Sequence, residues 1–284
     1  MDSDQAPQTP ISRTFADLKA RGRMAFMPFV TAGDPDLGTT AALIGELARR
    51  GVDLIEVGFP YSDPIADGPV VQASYTRALR RGIRVREIFE MIAGLSAGQV
   101  SQAAPRPPHV PPLLAMVSYS IILRHGVERF LDEARDAGFA GLIVPDLPGD
   151  EAGRLPELVR ARNLDLVQLV SPTTPPERAA RIVRAASGFV YCISVAGTTG
   201  VRQELPAELR EQLAWLRTRT DLPLAVGFGI SRPEQVGGLR GLADGVIVGS
   251  AIVRQLEPLS QDPSRATAAV QQAGEFAATM LAAT

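Results

Sequence analysis

Short apolar runs alternate with amphipathic stretches along most of the chain. Eight of these runs have the length and the mostly apolar composition of strands that are covered on both faces. They occupy residues 24–31, 52–58, 113–118, 141–145, 165–170, 188–194, 223–228 and 244–249. Strands that alternate with helical crossovers predict a parallel β-sheet in an α/β fold.

The stretches between these runs carry the start and stop signals of helices. The clearest covers 39–50, where Leu43 and Leu47 lie one turn apart and Gly51 follows two arginines. Gly82 interrupts the segment 71–97, which therefore forms either one helix or two. The other predicted helices are 12–21, 127–137, 150–162, 176–186, 205–219, 232–240 and 265–281.

Eight βα units within 284 residues predict a closed (β/α)8 barrel, the TIM barrel, as a single domain. We expect residues 12–284 to form the barrel and residues 1–11 to be a disordered N-terminal extension. The alternative is an open doubly wound sheet, which normally has a GxGxxG turn after its first strand. The segment at that point, TAGDPDLG, is not such a turn, so the barrel is favoured.

The proline-rich segment 105–112 cannot form regular secondary structure. It leads into the third predicted strand, so it should lie at the bottom of the barrel, away from the chemistry. We therefore interpret His109, which lies within it, as an exposed linker residue and not as a catalytic one.

Composition narrows the class of protein. The net charge of −2 indicates neither a nucleic-acid surface nor a polybasic membrane patch. The 45% of residues that are hydrophobic are enough for a sizeable core. Cys192 is the only cysteine, so the chain has no internal disulfide. The N-terminus lacks the apolar core of a signal peptide, and no apolar run reaches the roughly 18 residues of a membrane helix. These features predict a cytoplasmic protein.

Active sites of barrels lie at the carboxyl ends of the strands. The second strand delivers Glu56, which shares a face with Leu54 and Gly58. Because a carboxylate in an apolar strand is costly to bury, Glu56 is either functional or paired with an arginine. The loop that follows adds Asp63 and Asp67. Asp67 is either a turn or cap residue or the second carboxylate of an acid–base pair.

Glycine-rich segments follow three strands in the second half of the chain. They are SVAGTTG (194–200), GFGIS (227–231) and GSAIV (249–253). Glycines allow backbone N–H groups to approach an anion closely, and a helix that begins at Gly249–Ser250 would attract negative charge. The pattern indicates a phosphate site, with tight packing at the barrel top as the alternative.

Scarce residue types exclude two kinds of chemistry. Lys19 is the only lysine and lies before the first strand, so no strand can present a Schiff-base amine. His109 and His125 are the only histidines, which makes a histidine-rich metal site improbable, and we expect no metal. Any carbon–carbon bond cleavage at this site would therefore depend on carboxyl groups.

The sequence resembles the tryptophan synthase alpha chain family over roughly residues 12–256. The most specific match is LIEVGFPYSDPIADGPVVQ (54–72), supported by PFVTAGDP (28–35) and by the three glycine-rich segments. The resemblance implies that Glu56 and Asp67 are the catalytic pair. It also implies a partner interface at Pro60 and Asp63, in the first part of the same loop.

The resemblance assigns the substrate site as well. Its phosphate contacts are Gly200, Gly229, Gly249 and Ser250, and its pocket residues are Tyr191, Phe228, Ser118 and Thr199. At the end of the third strand the family usually has a tyrosine, and Ser118 occupies that position here.

The implied activity is a lyase reaction of tryptophan biosynthesis that converts indole-3-glycerol phosphate to indole and glyceraldehyde 3-phosphate. The resemblance implies no cofactor on this chain, pyridoxal phosphate on a separate beta subunit, and an alpha–beta heterotetramer. Two alternatives remain at this point. One is a barrel lyase that releases indole without a partner, and the other is a catalytically silent allosteric partner.

Overall fold

Eight parallel strands close into one barrel in sequence order, and β1 pairs with both β2 and β8. A computed structural model describes the chain over residues 8–64, 67–98, 109–194, 206–227 and 229–284. The strands are β1 (Ala25–Thr31), β2 (Ile55–Gly58), β3 (Leu113–Met116), β4 (Phe139–Ile143), β5 (Asp165–Val170), β6 (Val190–Ile193), β7 (Leu224–Gly227) and β8 (Gly245–Val248). The predicted (β/α)8 barrel is confirmed, and the open sheet is excluded.

Helices surround the barrel and follow each strand, as the parallel topology requires. They are α1 (Pro10–Ala20), α2 (Leu37–Arg49), α3 (Pro69–Arg80), α4 (Val85–Ser96), α5 (Tyr119–His125), α6 (Val127–Ala137), α7 (Leu155–Arg160), α8 (Pro176–Ala185), α9 (Ala207–Arg217), α10 (Pro233–Gly237), α11 (Ser250–Leu256) and α12 (Ala266–Leu281). Two 3₁₀ helices, Glu257–Ser260 and Pro263–Arg265, join α11 to α12.

Two differences from the sequence interpretation concern helices. The segment 71–97 forms two helices, α3 and α4, because Gly82 between them adopts a left-handed φ of 75°. Helix α5 was not predicted, since it has only seven residues and begins three residues after the last residue of β3. Its first turn is capped by the Ser118 side chain, which accepts a hydrogen bond from the backbone N–H of Ser120.

Side chains on each strand alternate between two apolar clusters. On β2, Ile55 and Val57 belong to the larger cluster between the strands and the helices, while Leu54 belongs to the smaller cluster inside the barrel. The register aligns Glu56 with Phe29 on β1 and with the corresponding interior position of β3. Glu56 therefore points into the barrel, as the period of the strand predicts.

Helix α1 lies under the barrel. Thr9 caps it by accepting a hydrogen bond from Ser12 N at 3.1 Å, and the Thr9 hydroxyl donates to Asp165 Oδ2 at 2.5 Å. Phe15 packs against Phe189 with ring centroids 5.5 Å apart. The first helix thus begins at Pro10, two residues earlier than predicted, and the extension over residues 1–11 stays a prediction. Residues 1–7 lie outside the described residues.

His109 is exposed and borders a hollow on the same side as Pro10, Arg13 and Asp17 of α1, which agrees with its predicted place at the bottom. Among the described residues, no helix has the length and apolar character needed to cross a membrane.

Candidate active site

A cavity of about 250 Å³ opens where the strands end at their carboxyl termini. Both carboxyl groups singled out in the sequence, Glu56 and Asp67, lie in its wall. The remaining described lining residues are Phe29, Gly68, Val71, Met116, Tyr191, Gly229, Ile230, Ser231, Ile247, Gly249, Ser250, Ala251 and Arg254. The cavity is thus apolar in part, with a few polar groups that converge on it, as in small-molecule sites.

Glu56 is almost fully buried, with 1% of its surface exposed. Its Oε1 atom has no hydrogen-bond partner among the described residues, and no arginine in that part of the chain forms an ion pair with it. Burial raises the pKa of Glu56 to about 8, and the nearby Asp67 charge adds to the rise. The structure therefore favours the functional interpretation of Glu56 over a salt bridge.

Asp67 lies in the loop between β2 and α3 and is partly buried. Burial raises its pKa to about 6, and the hydrogen bond from the Tyr61 hydroxyl to Asp67 Oδ2 at 3.4 Å opposes that rise. The N-cap of α3 is Gly68, with no side-chain capping bond, so Asp67 does not cap the helix. Its carboxyl group is instead directed to the cavity.

Gln72, on the first turn of α3, holds this loop in place. Its side-chain amide donates hydrogen bonds to the backbone oxygens of Asp67 at 2.7 Å and Pro64 at 3.1 Å. The backbone N–H of Asp67 donates to Pro64 O at 3.1 Å and closes a turn. Together these bonds fix the point from which the Asp67 side chain extends.

Gly229, Gly249 and Ser250 form another part of the cavity wall, here called the anion end. Gly229 has a left-handed φ of 75°, and Gly249 precedes the first turn of α11, which Ser250 begins. Backbone N–H groups of a helix start attract negative charge. Arg254, one turn further along α11, is the only basic side chain among the described lining residues.

Tyr191 lies in the cavity wall, as predicted. Its ring occupies the space beside Gly227, where an added Cβ would meet the ring at 2.6 Å, so only glycine leaves room for it. Three predicted site residues, Gly200, Thr199 and Phe228, lie outside the described residues. Their assignments therefore stay predictions.

Ser118 was predicted to line the substrate pocket, and the structure places it elsewhere. Its hydroxyl donates to Asp146 Oδ2 at 2.7 Å and caps α5, so it is engaged in holding the loop after β3. Met116, two residues earlier on the same face of the strand, supplies the β3 wall of the cavity. Ser118 is thus not among the residues that line this cavity, and its assignment to the substrate pocket stays a prediction.

The two residues of the predicted partner interface differ in their exposure to solvent. Pro60 lies two residues after the end of β2 and is buried in this conformation. Asp63 is exposed, with the apolar ring of Tyr61 half-buried beside it. Only the Asp63 part of the prediction is compatible with an accessible surface.

Within the described residues, no group of three or more histidine, cysteine, aspartate and glutamate side chains could hold a metal ion. Cys192 is buried, and burial raises the pKa of its thiol to about 12. The chemistry available at the cavity is that of two carboxyl groups, tyrosines and an anion end.

Comparison with known proteins gives a clear relationship. The family described as tryptophan synthase alpha chain matches residues 15–282. The chain belongs to the tryptophan synthase alpha chain family. It is 45% identical over 273 residues to the protein of that name from Rhodopirellula baltica, covering 94% of this chain and 96% of that protein. The protein from Gloeobacter violaceus is 47% identical over 247 residues, covering 87% of this chain and 86% of its own length.

Solved structures agree. The tryptophan synthase of Mycobacterium tuberculosis contains a chain that superposes with a TM-score of 0.83 at 32% identity, covering 97% of this chain and 98% of that one. The alpha subunit from Legionella pneumophila gives 0.82 at 31% identity, with the same coverage. The protein is therefore a lyase of tryptophan biosynthesis with the barrel of its family.

Several site residues of this member of the tryptophan synthase alpha chain family were not identified from the sequence. Arg254 could have been found from its spacing, since it follows Ser250 by one helical turn. Gln72 lies within the family motif but has the pattern of an ordinary polar helix position. Tyr75 is fully buried on α3 next to the site, and its spacing is that of any buried face of an amphipathic helix.

Proposed function

We propose that this chain cleaves indole-3-glycerol phosphate between indole C3 and the first carbon of the glycerol chain. The observation that carries the proposal is a buried and a partly buried carboxyl group, Glu56 and Asp67, that line one cavity and have separated pKa values. An environment that keeps one carboxyl protonated and another ionised supplies an acid and a base at the same pH.

Glu56 acts as the acid and then as the base. With a pKa of about 8 it carries a proton at neutral pH and can give that proton to indole C3. The protonated ring is a cationic indolenine that accepts electrons. Glu56, now a carboxylate, takes the proton of the glycerol hydroxyl, the C3–C1′ bond breaks, and its electron pair restores the indole ring. The products are indole and glyceraldehyde 3-phosphate.

Asp67 stabilises the positive charge on the ring. With a pKa of about 6 it is mostly ionised at neutral pH, so it can accept the indole N–H and interact favourably with the indolenine cation. The Tyr61 hydroxyl bonded to Asp67 favours this ionised form. Gln72 fixes the backbone of Asp67 and so the position of its carboxylate.

The anion end binds the substrate phosphate. The start of α11 and the glycine backbone offer N–H groups, and Arg254 adds a positive charge. Binding energy gained there, remote from the reacting bond, holds the indole ring between the two carboxyl groups. Phe29, Tyr191 and Ile247 supply apolar wall for the ring.

The pH dependence of kcat/KM tests this assignment. Activity requires protonated Glu56, so it falls as the pH rises through about 8, and ionised Asp67, so it falls as the pH drops through about 6. We expect a bell-shaped profile with its maximum near pH 7. A profile that keeps rising above pH 9 would show that Glu56 does not act as the acid.

Substitution at the anion end should raise KM. A Cβ on Gly249 would lie 3.7 Å from the nearest atom of Phe29, so the fold has room for a side chain at this position. That side chain would occupy the place proposed for the substrate phosphate. We expect Gly249→Val to raise KM about tenfold or more, about 1.4 kcal/mol of lost binding. Arg254→Gln should also raise KM, with a weaker salt dependence than the wild type shows.

The control is the binding of free indole, which lacks phosphate. Indole affinity should be unchanged in Gly249→Val and Arg254→Gln. If affinity for indole falls as much as affinity for the phosphorylated substrate, the substitution has damaged the fold and the phosphate assignment loses its support.

The proposal includes a beta subunit that carries pyridoxal phosphate and consumes the indole. The family name of this chain and the complete tryptophan synthase among its structural relatives support a beta partner. The chain itself uses only its own side chains in the cleavage. Asp63 is exposed in the loop that also carries Asp67. It is our candidate for a residue that contacts the beta subunit and through which binding of that subunit affects the position of Asp67.

Replacing Asp63 should therefore weaken the effect of the beta subunit on the cleavage rate. We expect Asp63→Ala to reduce the stimulation of indole release by a cognate beta subunit more than it reduces the basal rate. Asp221→Ala, an exposed aspartate before β7 at the other end of the barrel, is the matched control. An equal fall in basal and stimulated rates would mean that Asp63 only shapes the loop.

Two other functions make different predictions. A lyase that works without a partner would release indole at the same rate with and without the beta subunit. A catalytically silent partner would stimulate the beta subunit but release no indole. The buried Glu56 and the partly buried Asp67, which line one cavity, favour an active enzyme over the silent one.

A further inference from the structure

Tyr75 carries an unused hydrogen-bonding group beside the active site. Its side chain is 1% exposed, and its hydroxyl has no partner among the described residues. Three fully buried side-chain atoms of the described chain lack a partner, and two of them are Glu56 Oε1 and Tyr75 Oη. A buried donor without a partner is unfavourable, so its persistence calls for an explanation.

The Tyr75 hydroxyl reaches the interior of the barrel next to Glu56. Gly58 follows Glu56 by two residues on β2 and therefore points to the same face. A Cβ on Gly58 would lie 2.6 Å from Tyr75 Oη and 2.4 Å from the Phe29 ring, so the missing side chain of Gly58 provides space that the hydroxyl shares with this ring. The donor of Tyr75 and the acceptor of Glu56 thus share one buried region.

Helix α3 is anchored on both sides of Tyr75, which prevents the hydroxyl from moving away. The Ser74 and Thr31 hydroxyls lie 2.7 Å apart. Arg77 donates two hydrogen bonds to the buried carboxylate of Asp34, at 2.7 and 2.8 Å. Both contacts join α3 to β1 and to the segment that follows it. If the two groups approach each other to form a hydrogen bond, the Glu56 side chain is therefore the one that moves.

The ring of Tyr75 supports the second carboxyl group, Asp67, through Tyr61. It packs against the ring of Tyr61 with centroids 5.5 Å apart, and the Tyr61 hydroxyl donates to Asp67. Phe29, in the cavity wall, packs on Tyr75 at 6.5 Å. A substitution that keeps the ring will preserve these contacts, so the role of the hydroxyl can be tested alone.

We propose that Tyr75 is a positioning residue whose hydroxyl donates a hydrogen bond to the Glu56 carboxylate that forms during the reaction. This inference rests on the proposed function. Glu56 gives its proton to indole C3 and becomes a buried anion, which the Tyr75 O–H then stabilises. Glu56 recovers a proton from the substrate hydroxyl, and Tyr75 keeps its own proton throughout.

Burial supports that last point, because it raises the pKa of Tyr75 well above its usual range and keeps the hydroxyl a donor. Besides Tyr75, two other titratable groups lie close enough to interact with Glu56: Asp67 on the loop after β2 and Tyr191 on β6. Arg254 on α11 lines the same cavity, and Tyr61 acts on Asp67 and Tyr75. Tyr191 is the other tyrosine near Glu56, so Tyr191→Phe is included as a comparison.

The test is Tyr75→Phe, which removes only the hydroxyl. We expect kcat to fall about 10- to 100-fold, since hydrogen bonds to charged groups are among the stronger ones. KM should not change, and the thermal midpoint should not fall, because the lost group had no partner in the resting protein. Without the donor the Glu56 carboxylate is less stable, so the alkaline limb of the kcat profile should move to higher pH.

A second readout does not depend on activity. In protein labelled with ¹³C at glutamate carboxyl groups, the Glu56 signal is the one that Glu56→Gln removes, and its titration gives the pKa directly. Tyr75→Phe should raise that pKa. Tyr119→Phe, which alters a half-buried tyrosine on α5, should leave the titration, kcat and KM as in the wild type.

Two results would overturn the proposal. One is Tyr75→Phe with the wild-type kcat and the wild-type Glu56 titration. The other is a rise in the Glu56 pKa in Tyr191→Phe but not in Tyr75→Phe, which would assign the bond to Tyr191. If the wild type released no indole, the proposed function would fail, while the titration would still decide whether Tyr75 bonds to Glu56.

Discussion

Glu56→Gln lowers kcat for indole release by about 10²–10⁴-fold in this account, with the affinity for indole-3-glycerol phosphate nearly unchanged. The amide keeps the shape of the side chain but can neither give a proton to C3 nor take one from the glycerol hydroxyl. Glu90→Gln, at an exposed ion pair with Arg86 on α4, is the matched control and should behave as the wild type. A Glu56→Gln enzyme with more than about half the wild-type kcat would disprove the assignment.

The same variant should be more stable than the wild type at alkaline pH. Burial raises the folded-state pKa of Glu56 from 4.5 to about 8. The stability that depends on neutral Glu56 is complete below about pH 4.5 and is lost as the pH rises through about 8. Glutamine does not ionise, so the difference in thermal midpoint in favour of Glu56→Gln should grow between about pH 5 and pH 9. This result also shows that the inactive variant is folded.

Asp67→Asn should lower kcat by about 10²-fold or more, because an amide can accept the indole N–H but cannot balance the indolenine charge. Two changes in the pH profile should accompany the loss. The acid limb near pH 6 should disappear, since Asp67 no longer titrates. The alkaline limb should move to lower pH, because the Asp67 charge is one of the causes that raise the pKa of Glu56.

Asp221→Asn, an exposed aspartate at the bottom of the barrel, is the control for Asp67→Asn and should leave both limbs in place. An Asp67→Asn variant that keeps the wild-type rate would leave Glu56 as the sole catalytic carboxyl group. An unchanged alkaline limb would instead show that the two carboxyl groups do not interact.

The barrel could be predicted because its strands are continuous apolar runs and because the motif around Glu56 is long. The face of β2 that carries Glu56 followed from the alternation of the strand alone. Helix α5 could not, since its seven residues are too few to show a helical period. Met116, and not Ser118, lines the cavity because β3 ends two residues earlier than the predicted strand 113–118.

The remaining site features depend on tertiary packing. The resemblance implies a partner contact at Pro60, yet Pro60 is buried just after β2. Tyr75 has the spacing of an ordinary core residue, and only the three-dimensional structure shows its hydroxyl beside Gly58 without a partner. The separated pKa values of Glu56 and Asp67 also arise from burial, which sequence spacing does not reveal.

The most direct test of the central claim is a product assay with purified indole-3-glycerol phosphate, run with and without a cognate beta subunit. Indole and glyceraldehyde 3-phosphate should appear in equal amounts from the isolated chain, and faster when the beta subunit is present. Both products should be lost together in Glu56→Gln. Absence of indole under both conditions from a folded wild-type chain would contradict the account, as would indole release that does not depend on Glu56.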